Sequence, residues 1–168
     1  LRGQSCITTN NFMEPKKQIM VSRSFGRSIT SKKILSEAIS FHASRAAEKL
    51  RHESQKCRII TAFIRSNRFN NNIKQIYASR HIELAYPTDD SRIIIKNANQ
   101  ILNSVFMDGY QYSKAGVLLS DFTKSYGYQM SLFDKNIDSK SSRELMRTVD
   151  HINMMEIARI GFGNQGFI

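Results

Sequence analysis

The order in which two kinds of apolar pattern alternate limits what this chain can fold into more than any other feature. Residues 17–25, KQIMVSRSF, mix β-branched and apolar residues with short polar ones and stop at Gly26, the pattern of a strand. Thr30 and Ser31 then stand as N-caps for a helix whose apolar positions Leu35, Ile39, Ala43, Ala46 and Leu50 recur at spacings of four and three. Lys49, Arg51 and His52 fall at its end, where the helix dipole favours cations. A second strand is expected over residues 58–66, RIITAFIRS, and the polar loop RFNNNIKQ leads to a third over 76–86. After Pro87, the series Thr88, Asp89, Asp90, Ser91 is rich in N-cap residues, and Ile94, Ala98, Ile101 and Val105 form a helical stripe that stops at Gly109. A fourth strand, about residues 112–122, carries Val117, Leu118 and Leu119. The order β-α-β-β-α-β predicts an α+β fold: one four-stranded sheet, both helices packed on the same face, and the other face free.

Beyond Phe122 the chain turns to Thr, Lys, Ser, Tyr, Gly and Asp with little periodicity, which reads as an extended linker to about Lys140. Ser141 and Glu144 then have capping-box spacing ahead of Leu145, Val149 and Ile152, so a short C-terminal helix is expected. A chain of 168 residues suits one domain of ordinary size with a tail. Its first residue is Leu1 rather than Met, which suggests a piece of something longer. With no run of about 18 or more apolar residues and no signal-peptide pattern, the expected location is the cytoplasm. Cys6 and Cys57 form neither a CxxC pair nor a disulfide framework, which fits a reduced compartment and gives them no chemical role.

Charge narrows the partner. The net charge of +11 is uneven: residues 1–122 hold 19 Lys and Arg against 9 Asp and Glu, and residues 123–168 hold 6 against 5. Concentrated positive charge favours a polyanion, usually nucleic acid, because neutralising phosphates releases condensed counterions. The basic residues fall mainly on strands and at strand ends: Lys17 and Arg23 on the first, Arg58 and Arg65 on the second, Lys114 near the last. On an open sheet face, with Ser22, Ser24 and Thr61, they would grip phosphates without reading bases. The plainer reading of the same residues is a set of solvated strand charges.

Little else in the chain carries chemistry. GFGNQG, residues 161–166, matches G-x-G-x-x-G by letter, but no helix is expected to follow it before Ile168 and hold a pyrophosphate. Asp89 and Asp90 sit before a helix, where capping outweighs metal binding. His42, His52, His81 and His151 are scattered with no metal-ligand spacing, and surface or edge positions are their default. No GxSxG or Walker-type loop is present, so no enzyme complete within these residues is expected, and no metal or cofactor site.

KKQIMVSRSFG (16–26), ASRAAEKLR (43–51), AYPTDDSR (85–92) and YSKAGVLLSDF (112–122) together resemble the little-finger domain of Y-family translesion DNA polymerases, most closely the UmuC branch. LRGQSC (1–6) looks like the end of the thumb in that branch, and residues 145–166 resemble its C-terminal extension. The resemblance implies residues 1–13 as thumb end and tether, 14–123 as a DNA-binding little finger, 124–140 as linker and 141–168 as extension. It implies a parent that copies damaged template as a DNA polymerase V-type subunit in the SOS response, with processed UmuD dimer and RecA as partners. That parent is a nucleotidyltransferase that uses Mg2+ held in an upstream palm, so no residue here inherits a catalytic role. What carries over is grip on duplex primer-template DNA by Lys17, Ser22, Arg23, Ser24, Arg58, Thr61, Arg65 and Lys114.

A second inherited site is QMSLF, residues Gln129, Met130, Ser131, Leu132 and Phe133, which is similar to the motif by which bacterial polymerases bind the β sliding clamp. A Gln amide can make paired hydrogen bonds at a pocket rim while Leu132 and Phe133 bury apolar surface, about 1.5 to 3 kcal/mol per fully buried side chain before ordering costs. The family usually has Leu at Met130, a nearly volume-conserving difference. Ile157 and Ala158 stand where the family tends to have Gly and Arg, which leaves the extension's role open. A different class with the same element order is the RNA-recognition module that binds single strands, but its aromatic signature K/R-G-F/Y-G/A-F-V-x-F/Y occurs on no strand here. A purely protein-binding adaptor acting through QMSLF would leave the charge of residues 1–122 unexplained.

Overall fold

A computed structural model describes residues 15–124, 140–155 and 159–166. The elements run β1 (Gln18–Ile29), α1 (Lys32–His52), β2 (Gln55–Arg65), β3 (Tyr77–Thr88), α2 (Ser91–Val105), β4 (Tyr112–Lys124) and α3 (Lys140–Met154), with a 3-10 turn at Gly163–Gln165. The four strands form one antiparallel sheet in the order β1-β4-β2-β3. Each helix therefore crosses over one intervening strand, α1 from β1 to β2 and α2 from β3 to β4. Such crossovers are right-handed almost without exception, and in this order that puts both helices on one face. The expected α+β architecture is the one observed. No helix among the described residues is long and apolar enough to cross a membrane.

The core lies between sheet and helices. Leu35, Ile39, Ala43, Ala46 and Leu50 of α1, and Ile94, Ala98, Ile101 and Val105 of α2, are all buried, as their spacing requires. They meet Ile19 of β1, Ile60, Ala62 and Ile64 of β2, and Ala115, Val117 and Leu119 of β4. A polar bridge joins the helices within this layer: Ser36 Oγ donates to Asn99 Oδ1 (2.6 Å), and Asn99 Nδ2 donates to Ser40 Oγ (2.7 Å). Asp90 is the N-cap of α2, its carboxylate accepting from the Arg92 N–H at 2.8 Å. Ser31 caps α1 by position only, with no side-chain hydrogen bond.

Several local expectations change. The first strand does not stop at Gly26 but continues to Ile29, with an irregularity in its pairing between Ser24 and Ile29. The second begins at Gln55, and its register with β3 shifts between Cys57 and Ile59, turning Cys57 into the core. Burial pushes the Cys57 thiol up to about 12, and the thiol donates to Thr88 O at 3.5 Å. His42 is not at the surface: it is 4% exposed on α1, and neither ring nitrogen has a hydrogen-bond partner among the described residues. Ser141 does not start a capping box, because α3 already includes Lys140. Leu145 is exposed; Met146 and Val149 are the residues α3 buries. The expected thumb end and the clamp motif at 129–133 lie outside the described residues.

The C-terminal part packs back against the helices. Arg51, at the end of α1, makes a two-pronged ion pair with Asp150 of α3 (Nε to Oδ2 2.6 Å, Nη2 to Oδ1 2.7 Å) and donates through Nη1 to Asp89 O and Ser91 Oγ. Ser142 Oγ donates to Asp90 Oδ2 at 2.6 Å and accepts from Arg92 Nη2 at 2.9 Å. Burial alone would raise the Asp90 carboxyl, but hydrogen bonds from Arg92, Ser142 and the Arg92 N–H outweigh it and hold it below the usual carboxylate range. Further on, Phe162 packs against the core cluster, and Gly166 comes to rest beside Glu37 of α1.

His42 supplies a test of this core. Burial, and then the charge of Arg23, hold its imidazole below the ordinary value of 6.5. The unfolded chain then binds more protons than the folded one, so stability falls as pH drops below about 6.5 and is recovered above it. The Asp90 titration lies far below this window. Urea denaturation from about pH 7.5 to about pH 5.5 is expected to show a falling midpoint in the parent and a flatter profile in His42→Leu.

Candidate nucleic-acid interface

Pleating decides what the free face of the sheet presents. Residues paired directly across an antiparallel sheet point to the same side, and those on either side of each pair point to the other. Ile19, Val117, Ala62 and their neighbours in register point into the core, so the intervening residues face away from the helices. Across the strands in spatial order, the face carries Ser24, Lys114, Arg65 and Tyr77 in one row, then Ser22, Gly116, Phe63 and Ser79. Met20, Leu118, Thr61 and His81 follow, and Gln18, Ser120, Ile59 and Glu83 close it.

Electrostatically the face is graded. Lys114 and Arg65 sit side by side in the first row, and neither makes an ion pair with any described residue. At the opposite end Arg58 pairs with Glu83 (Nη2 to Oε1 2.9 Å) and donates through Nε to Leu84 O, so its charge is partly neutralised. Between the ends lie hydroxyls, with Met20 exposed on the edge strand. Hydroxyl donors and unpaired cations on an open sheet face hold phosphate oxygens and distinguish no base.

Gly116 gives the middle of the face its shape. A Cβ placed there would overlap Ser22 Cβ and the Phe63 ring, so the ring lies across the glycine. Phe63 is consequently 9% exposed although it stands on the free face. Its ring neighbour is Tyr77, with centroids 6.3 Å apart, and Tyr77 is 69% exposed.

Of the eight residues expected to grip DNA, five come together on this face: Ser22, Ser24, Thr61, Arg65 and Lys114. Lys17 lies exposed just before β1, and Arg58 is tied to Glu83 at the far end. Arg23 is the misplacement. It pairs with Ala115 on the helix side, close enough to His42 for its charge to be felt there. The alternation Ile19, Val21, Arg23 already carried that information. Ser79 and His81 also lie on this face but are not among the residues expected to grip DNA, although the alternation Tyr77, Ser79, His81, Glu83 marks them as one side of β3.

The family model for the impB/mucB/samB family C-terminal domain matches residues 16–132. The chain belongs to the impB/mucB/samB family. Relatives in it include Protein ImpB of Salmonella typhimurium, 44% identical over 168 residues, which takes in 99% of this chain and 39% of that protein. Protein UmuC of Salmonella typhimurium strain LT2 is 40% identical over 153 residues, 91% of this chain and 36% of that protein. Protein MucB of Escherichia coli is 40% identical over 167 residues, 99% and 39%. The chain thus spans well under half the length of these impB/mucB/samB relatives. A solved complex of beta-clamp processivity factor and little finger domain of PolIV matches with a TM-score of 0.46 and 12% identity, covering 70% of this chain and 99% of that one. Family membership rests on the family model. It covers all four strands and both sheet-packed helices, and therefore the whole free face.

The contact at Gly116 predicts a cost for any side chain at that position. Gly116→Ala is expected to lose about 1 to 3 kcal/mol through overpacking, read as a lower urea midpoint at unchanged slope. A variant as stable as the parent would mean that the ring does not lie on the glycine.

Proposed function

We propose that this chain is the DNA-binding and sliding-clamp-binding C-terminal part of an error-prone translesion DNA polymerase that acts in SOS repair and mutagenesis. The observation that carries the reading is the free sheet face, with Lys114 and Arg65, which make no ion pair among the described residues, beside Ser22, Ser24 and Thr61. Such a face suits the backbone of a duplex: each cation neutralises a phosphate and the hydroxyls fix register, whatever the base sequence. A polymerase that copies damaged template gains from this kind of grip, because contacts to phosphates do not depend on intact bases. Relatives named UmuC, MucB and ImpB at 40 to 44% identity support the family half of the reading. Processed UmuD dimer and RecA follow as partners of the parent enzyme.

Tethering is assigned to Gln129, Met130, Ser131, Leu132 and Phe133, which the sequence puts between β4, ending at Lys124, and α3, beginning at Lys140. The Mg2+ of such a polymerase has no seat among the described residues. No three of His, Cys, Asp and Glu gather there, and Asp90 is committed to Arg92 and Ser142. Polymerisation is assigned, on the family resemblance alone, to a palm of the parent enzyme upstream of these residues. The RNA-recognition alternative draws less support: modules of that kind stack two or three bases on sheet aromatics, whereas of the two aromatic rings on this face Phe63 is pressed onto Gly116 and only Tyr77 is exposed.

Binding of the chain to primer-template duplex over a salt series tests the reading. The affinity is expected to fall with log salt by about 0.9 per phosphate neutralised. In Arg65→Ala/Lys114→Ala it is expected to be weaker at all sequences, with a slope shallower by roughly twice that amount. In parallel, Phe133→Ala is expected to abolish association with purified β clamp and leave duplex binding unchanged. Preference for single-stranded RNA with no clamp association would overturn the proposal.

A further inference from the structure

The loop between β2 and β3 is built around a side chain that it does not use. It leaves the sheet from Arg65 and Tyr77, the basic end of the free face. Hydrogen bonds pin it throughout: Ser66 N donates to Ile76 O (3.0 Å) and Ile76 N to Ser66 Oγ (2.9 Å). The Gln75 amide donates to both Asn67 O (3.0 Å) and Asn70 O (2.7 Å). Asn67 and Asn70 each accept from a backbone N–H two residues on, at Phe69 and Asn72 (3.0 Å each). All of these bonds are polar. Phe69 contributes only its backbone to them, and the residue is 95% exposed at the tip.

A ring held in water by an ordered loop forgoes the burial worth about 1.5 to 3 kcal/mol to a Phe side chain, and nothing in the loop recovers it. Its surroundings point to a polyanion. Arg68 adjoins it and Lys74 follows, and neither makes an ion pair with any described residue. From Ser54 to Ile82 there is no Asp or Glu at all, while Lys56, Arg58, Arg65, Arg68, Lys74 and Arg80 fall within the same span. The loop thus continues the cationic end of the face into an exposed aromatic.

We propose that Phe69 is a stacking wedge for unpaired bases of nucleic acid, with Arg68 and Lys74 holding the flanking phosphates. The proposal rests on the duplex reading of the sheet face and adds to it a preference for a junction between paired and unpaired strand. An aromatic face takes any base, so the wedge reads strand state and not sequence. Stacking of this kind is worth about 1 to 3 kcal/mol per base by alanine substitution.

The test compares the full chain on blunt duplex and on the same duplex with a single-stranded overhang carrying 2-aminopurine beside the junction. Tighter binding to the overhang substrate, with altered probe fluorescence, is expected for the parent. Phe69→Ala should lose about tenfold on the overhang substrate and nothing on blunt duplex; Phe69→Tyr should retain both. Because the ring is exposed, the fold does not depend on it. If Phe69→Ala matched the parent on both substrates, or lost equally on both, there would be no wedge. Phe69-dependent binding to anionic vesicles without an effect on DNA would overturn the proposal in favour of a membrane contact. Failure of the parent on blunt duplex, with a Phe69-dependent gain on single strands, would instead sink the duplex reading and keep this one.

Discussion

Burying the apolar stripes of α1 and α2 against a single face of the sheet is the constraint on which the rest depends. The interleaved strand order β1-β4-β2-β3 brings both crossovers to the same side, so the core needs only one face. Each fully buried Leu or Ile there contributes about 1.5 to 3 kcal/mol, and both helices supply several. The two faces of the sheet consequently differ. One is closed by packing, and the other is left with the alternate residues of every strand, which are mostly short, polar or cationic.

The C-terminal part deepens this asymmetry. α3 and the segment around Phe162 could have stayed away from the domain, yet both fasten to the helical side. Arg51 ties α1 to Asp150 of α3 and to the start of α2, and Ser142 reaches the Asp90 cap. Polar contacts of this kind fix the direction of docking more than they add net stability, since each replaces a hydrogen bond to water. Met146, Val149 and Phe162 supply the apolar part. The extension thereby covers the helices and leaves the free face of the sheet uncovered by any described residue.

Much of the layout was legible because burial imposes a period on sequence. The stripes of α1 and α2 appeared at three- and four-residue spacing, and the same rule reaches His42, three residues after Ile39 and four before Ala46. It was missed because a histidine does not register as an apolar position. Arg23 was assigned to the wrong face by its charge, whereas the alternation with Ile19 and Val21 sends it to the helix side. The bulge that turns Cys57 inward has no local signal, since it arises from pairing with β3. Phe63 and Gly116 lie far apart in sequence, and only register brings ring and glycine together. The α3 contacts were out of reach for the same reason: the Arg51 partner is Asp150, remote along the chain, and pattern alone chose Leu145 over Met146.

Function turns on whether the polyanion lies on the free face and not on the helices. Amide chemical-shift mapping of the chain during titration with primer-template duplex addresses this directly. Shifts concentrated at Ser22, Ser24, Thr61, Arg65, Lys114 and Gly116, with α1 and α2 quiet, are the predicted result. Shifts centred instead on the exposed side of the helices, or on the groove between α1 and α3, would contradict it.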